Sequence, residues 1–352
     1  MTTADFAAFS NNAIMFASIV YVLAMVSHVA EWAMGRKVPV ADEQVAQSDA
    51  VAARQRSEQP VAATVGAPAA GTSHPGAGEP TAPAEPTDAG DDLEERRLAL
   101  EKWGRIGVAL TIVAAALHLA GLVTRGLASD PVRVPWGNMY EFTVAGTLGV
   151  SVMYLLLLRR YRLRWMGLLV TAFEVVALMA AGLLLYVPAG PLVPALHSYW
   201  LAIHVTAAIV ATGAFAVGAI TSVLYLVRDR AERRGTLRPT GYVARLPEAS
   251  VLDRVAYRVH AFGFPIWTFA ALVAGPIWAE YAWGRYWGWD PKEVWAFITW
   301  VVYAAYLHAR ATAGWKGKAA AVIALVGFAT LLFNFVGINL FGSGLHSYSG
   351  LD

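Results

Sequence analysis

The chain has 352 residues, of which 57% are hydrophobic and 15% charged, with a formal net charge of +2. That balance, with the charges kept out of several long apolar runs, excludes a water-soluble domain and offers no basis for nucleic-acid binding; it describes a polytopic, all-α integral membrane protein. Cysteine is absent, which excludes disulfides, thiolate nucleophiles and cysteine-ligated metals and leaves any metal chemistry to His, Met or carboxylates.

A helix needs about 20 apolar residues to cross the hydrocarbon. Such runs predict about eight transmembrane helices, at 12–33, 105–124, 139–158, 165–187, 200–227, 259–278, 293–310 and 318–341. The first has no basic segment before it and is read as a retained membrane helix, not a cleaved leader. Residues 36–95 are rich in Ala, Pro, Gly, Thr and acidic side chains, a composition expected to be disordered. Asp91 to Lys102 reads as a short amphipathic lead into the second span. The expected organisation is an N-terminal helix at 1–35, a linker at 36–104, and a seven-helix unit at 105–352 that carries the function.

Lys and Arg set the orientation. All but four of the 27 fall in or at the edge of segments 34–104, 159–164, 228–258 and 310–318; the exceptions are Arg125, Arg133, Arg285 and Lys292. With the positive segments inside, the linker is cytoplasmic and the N-terminus, the loop at 278–293 and the C-terminus lie outside. The composition suggests a bacterial plasma membrane.

Six of the 13 tryptophans lie between Trp278 and Trp300. They are spaced too irregularly for one face of a helix, and with Tyr286, Gly284 and Gly288 they read as an apolar shelf for a large flat ligand; an interfacial aromatic belt is the other reading. Asp290-Pro291-Lys292-Glu293 reads as a helix start, with Asp290 as N-cap, Pro291 at the first position and Glu293 completing a capping box. Arg285 and Lys292 are positioned either to meet anionic groups or simply to be solvated.

Among eight histidines, His204 and His346 fall near the outer level of the tryptophan loop; each alone is more often an interfacial or hydrogen-bonding side chain, but together with the shelf they suit six-coordinate haem iron. His308 ends the seventh span near the cytoplasmic surface, and His28 lies at similar depth; both are candidate ligands of an inner site, with hydrogen bonding or solvation as the alternative. His118 reads as a helix-contact residue, His197 before the fifth span is a weaker alternative to His204 for the outer site, and His74 and His260 receive no ligand role. Glu141 and Glu174, in or near the membrane, are singled out by the cost of burying charge there, with no partner evident for Glu174.

The segments Trp283–Trp300, Tyr306-Leu-His-Ala-Arg310 and Gly344-Leu-His-Ser-Tyr348 resemble the CcsA/ResC proteins of System II cytochrome c biogenesis, a haem-handling family with a tryptophan-rich WWD motif. Pro135 to Phe142 and Pro194 to Val205 resemble it too, so the likeness runs from about 105 to 350. The resemblance implies haem transport to the outer face and its covalent attachment to apocytochrome c, as a subunit of a holocytochrome c synthase that acts mainly by positioning haem and thiols. It implies haem b as transported substrate, with His204 and His346 as axial ligands of the outer site and His308 as ligand of an inner one. Trp278, Trp283, Gly284, Tyr286, Trp287, Gly288, Trp289 and Asp290 form the implied haem platform, and Arg285 and Lys292 the propionate contacts. Partners implied are a CcsB/ResB-type membrane subunit, an apocytochrome c bearing Cys-x-x-Cys-His and, indirectly, thiol-reducing proteins. Two other functions fit a polytopic chain with these features: a cytochrome b-like electron-transfer subunit, and a transporter of another amphipathic substrate.

Overall fold

The structure, a computed structural model, describes residues 1–36, 38, 88–161, 163–190, 198–238, 241–312, 314–342 and 344–346. Most of the expected linker, with His74, lies outside the described residues, as does His197. Among the described residues all regular structure is helical. Eight long helices follow one another: α1 Thr3–Gly35, α2 Asp88–Leu127, α3 Met139–Tyr161, α4 Gly167–Leu184, α5 Tyr199–Arg233, α6 Ala249–Trp283, α7 Pro291–Thr312 and α8 Lys318–Phe341. The segment 91–102 and the second span form one continuous helix, α2.

Seven of these, all but α7, are long and apolar enough to cross a membrane. α7 nevertheless stands where the seventh span is expected, so the eight long helices follow the expected order. At 22 residues α7 is long enough, about 33 Å. Its apolar surface is built from Trp295, Trp300, Tyr303 and Tyr306, whose polar atoms lower the hydropathy of a helix that also carries His308 and Arg310. Tyr303 and Tyr306 are nevertheless buried, against Phe215 and His260. Because α7 packs on α6 and α8, its polar-tipped aromatics meet protein.

Local sequence explains the helix ends. Thr2 and Asp5 form a capping box on α1. Asn138 Oδ1 accepts the Glu141 N–H at 2.9 Å to start α3, and Ser198 caps α5. Gly284, at φ 70°, closes α6 in the left-handed conformation. Both α6 and α8 contain one turn of π-helix, at Ala270–Ala274 and Phe333–Gly337.

α1 packs along α2 and also touches α4. It comes so close to α2 that a Cβ at Gly121 would lie 2.7 Å from Ile14, and Ser10 Oγ donates to Gly121 O at 2.7 Å. Small residues and interhelical hydrogen bonds are what hold helices together in lipid, where burial of apolar surface gives little drive. Further along, Tyr21 donates to Ser151 Oγ and Ser151 to Glu174 Oε1, each at 2.8 Å. Glu174 thus has the partner that its own neighbourhood in the chain does not reveal.

The chain alternates direction, so the start of α1 and the α2–α3, α4–α5 and α6–α7 connections meet at one end, here the tryptophan end. Glu141 organises it. Its carboxylate accepts from Arg125 Nε at 3.1 Å, from Arg133 Nη1 at 2.7 Å and Nη2 at 3.0 Å, and from Gly137 N–H at 2.8 Å. Arg125 also reaches Val187 O, and Arg133 Nη2 reaches Gly190 O at 3.1 Å. Arg125 and Arg133, which stand against the charge bias of the loops, are therefore structural charges tied to one buried carboxylate. Removing one member of such a cluster leaves buried charge without compensation. We expect Glu141→Ala to lower the stability of the detergent-solubilised chain by roughly 3 kcal/mol, read as a fall in thermal unfolding midpoint, with Glu141→Gln losing less.

Candidate functional site

Below the tryptophan end lies a cavity of about 560 Å³, walled by α3, α4, α5, α6, α7 and α8. Its surface is mainly aliphatic and aromatic, and both His204 and His346 line it.

His204 stands in the second turn of α5. Its Nδ1 lies 2.9 Å from Ala270 O, in the π turn of α6. A carbonyl only accepts, so in the neutral ring Nδ1 carries the proton and Nε2 keeps a lone pair. Gly275 makes room for this contact: a Cβ there would lie 3.1 Å from Ala270 O and 3.2 Å from the imidazole. On the other side the ring stacks on Trp278, centroids 6.0 Å apart and planes within 8°.

His346 follows the last helix. Its Nδ1 is 2.7 Å from Asp290 Oδ2, and the Leu345 N–H donates to Asp290 Oδ1 at 2.7 Å. A Cβ at Gly344 would collide with the same carboxylate, so glycine is what lets the tail approach. The His346 ring meets Trp283 edge-on at 4.7 Å and lies 5.5 Å from Trp278. Trp278 therefore contacts both imidazoles. A carboxylate on Nδ1 orients the ring and raises the basicity of Nε2, an arrangement common behind metal-binding histidines.

Asp290 has two tasks. It is the N-cap of α7, its Oδ2 accepting the Lys292 N–H at 3.3 Å, while its own N–H donates to Glu293 Oε2 at 3.1 Å, the Glu293 half of the capping box read from the sequence. Its hold on His346 links residues 56 positions apart and has no local signal. Burial pushes the Asp290 carboxyl up, but the hydrogen bonds from His346, Leu345 and Lys292 outweigh it, and its pKa lies below the ordinary carboxylate value. Glu293 Oε2 also accepts the Gly288 N–H at 2.8 Å, fastening the tryptophan loop to α7.

The loop side chains separate by position. Trp278, Tyr286 and Trp287 line the cavity, and Trp283 packs between Trp278 and His346. Trp289 adopts φ 55° and stands exposed with its edge on Trp287. Lys292 lines the cavity, whereas Arg285 lies across Gly288, where a Cβ would collide with its guanidinium.

The remaining histidines are elsewhere. His308 is exposed on α7. His28 is buried between α1, α2 and α4, its Nδ1 3.0 Å from Glu31, in a slot opened by Gly107 and Gly167. His28 and His308 thus sit on separate packing units and are not brought together. His118 bonds Val144 O at 2.9 Å, and His260 packs among Phe215, Tyr303 and Tyr306. Among the described residues no cluster of three or more His, Asp or Glu is arranged to hold a bare metal ion. Sequence reasoning missed the Ala270 carbonyl and the cavity-lining Trp136 and Asn334; Gly275-Pro276 within a span was the available sign of an irregular turn.

Residues 136–346 match the family model described as cytochrome C assembly protein. The chain belongs to that family. It is 34% identical over 312 residues to the cytochrome c biogenesis protein CcsA of Synechococcus sp. (strain JA-2-3B'a(2-13)), covering 70% of this chain and 89% of the relative. It is 36% identical over 263 residues to CcsA of Guillardia theta, covering 70% and 86%. With CcsA of Synechococcus elongatus it shares 38% over 285 residues, covering 69% and 87%. The protein is thus of CcsA type, and the family match begins at the cavity-lining Trp136 and ends at His346.

Asp290→Ala removes both a cap and the tail contact. We expect it to cost roughly 1–2 kcal/mol in thermal unfolding of the purified chain. Gly344→Val should instead leave α7 intact and free the tail, seen as increased amide exchange at Leu345 with little change in unfolding midpoint.

Proposed function

We propose that this protein presents haem for covalent attachment to apocytochrome c, with His204 and His346 as axial ligands in the cavity beneath the tryptophan loop. The single observation that carries the reading is the convergence of two imidazoles, each with Nδ1 held and Nε2 left with its lone pair, on one apolar cavity. An amphipathic macrocycle needs this combination: apolar walls for its faces and a few placed polar groups for its metal and acid chains. Lys292, lining the same cavity, is the cation we assign to a propionate, with Arg285 nearby on the loop. Trp278, Tyr286 and Trp287 supply the haem platform, with Trp283 behind them and Gly284, Gly288 and Trp289 shaping the loop.

The chemistry asks for position rather than for a nucleophile from this chain. Each thiol of a Cys-x-x-Cys-His segment adds across a haem vinyl group, the sulfur to one carbon and the hydrogen to the other, with no net change of oxidation state. Holding the vinyl groups where the thiols arrive makes the addition effectively intramolecular. Haem b is substrate here. We read the tryptophan end as facing the outside of a bacterial plasma membrane, from the charge distribution of the loops. His308, at the opposite end of α7, is the candidate contact for haem arriving from the cytoplasmic side, completed by a CcsB/ResB-type partner in this System II arrangement; the position of His28 gives no support to its serving as the second ligand.

Purification of the full chain with its partner from a haem-replete host tests the reading. Wild type should show a bis-histidine spectrum, and His204→Ala and His346→Ala should each lose most of the bound haem and of the c-type cytochrome yield, with added imidazole restoring part of both. Unchanged haem content and yield in both variants overturn it. His308→Ala should lower loading from the cytoplasm while leaving binding of haem added to the purified chain intact, measured as absorbance at the Soret band.

A further inference from the structure

Among the described residues, the cavity has a side that no helix covers. α4 and α8 form facing walls, α4 through Phe173, Ala177, Ala180 and Leu184, and α8 through Leu331, Leu332, Phe335, Val336 and Leu340. Yet α4 packs on α1 and α3, while α8 packs on α5 and α7. Phe173 and Phe328 close the lower end by packing on the α3–α5 core. Above them the lining residues are also surface residues: Leu184 is 72% exposed, Leu340 50%, and Leu332 and Val336 42% each. Lining residues of this exposure on both walls, carried by helices that each pack on other neighbours, place the edge of the cavity between α4 and α8. At the back, Gly146 has nothing within 4 Å of where a Cβ would stand, so the space continues inward.

The rim is apolar and lies along two helices that can each cross a membrane. An opening of that kind faces hydrocarbon, not water. At the tryptophan end the cavity is lined by Trp287 and by Tyr286, which is itself exposed. We infer that the slit between α4 and α8 is a lateral portal through which the planar apolar ligand moves between the bilayer and the cavity that holds His204 and His346. The inference rests on the haem reading above and adds the route. Two features suit passage. The α4 wall is thinned by Ala177 and Ala180. Asn334 Oδ1, in the π turn of α8, is a buried acceptor with no partner of its own, a polar foothold in an otherwise apolar slit.

The absence of cysteine makes the test clean. The full chain carrying Ala180→Cys and Leu332→Cys is reconstituted in liposomes and bridged by a bis-methanethiosulfonate linker, which reduction removes from the same molecules. Iron protoporphyrin IX is dissolved in the bilayer and its uptake followed by the Soret shift. Bridging should slow uptake by about tenfold or more, and reduction should restore the rate; the single Ala180→Cys protein treated with the same reagent should slow much less. Equal rates with the bridge in place and removed overturn the portal. So does a partner-subunit helix found crosslinked within the slit in the co-purified complex. Failure of the unbridged protein to bind the porphyrin at all defeats the haem reading instead, which keeps the two outcomes apart.

Discussion

Charge buried at the ends of membrane helices must find its partner inside the protein, and in this chain carboxylates do most of that work. Glu141 gathers Arg125, Arg133 and the Gly137 N–H at the tryptophan end. At the other end Glu31 joins α1 to Arg164, 3.1 Å away, and Asp253 on α6 binds both Arg310 Nη1 at 2.6 Å and the Gly317 N–H at 3.2 Å, fixing the α7–α8 turn. Asp290 does the same for the start of α7 and the tail beyond α8. Each junction is a charge with several donors. The helices between them are held by close packing and a few hydrogen bonds such as Tyr21–Ser151–Glu174, and the cavity lies where that packing is left open.

The chemistry of the site follows from where backbone geometry departs from the regular helix. A π turn in α6 places Ala270 O against His204, and a second in α8 turns Asn334 and Phe335 toward the cavity. Such turns recur where a helix must present a group it would otherwise hide. Gly275 serves the first of them by leaving room for the imidazole. The aromatic residues around the cavity then act as walls of fixed position, because Trp278 is wedged between His204, Trp283 and His346.

Much of this was legible in the sequence where the signal is local. The apolar runs mark the long helices, Asp290 to Glu293 spell out a capping box, and the charge bias places the start of α1, the tryptophan loop and the tail at one end. Contacts between distant segments are not legible in that way. Nothing near Glu174 announces Ser151 and Tyr21, and Arg125 and Arg133 read as loop charges until Glu141 is seen between them. The hydropathy of α7 falls short for a related reason: its aromatic residues carry polar atoms, and only their packing against Phe215 and His260 shows them to be interior.

The two imidazoles of the cavity differ in how firmly they are rooted. His204 belongs to a helix of 35 residues, bonded to the backbone of α6 and stacked on Trp278, so moving it means repacking two helices. His346 sits on a short tail after α8, tied through the Leu345 N–H and its own Nδ1 to a single carboxylate. Breaking those two hydrogen bonds disturbs no helix of the bundle. The pair is therefore a fixed post and a lightly tethered partner, which the tail can carry away without moving α5 or α6.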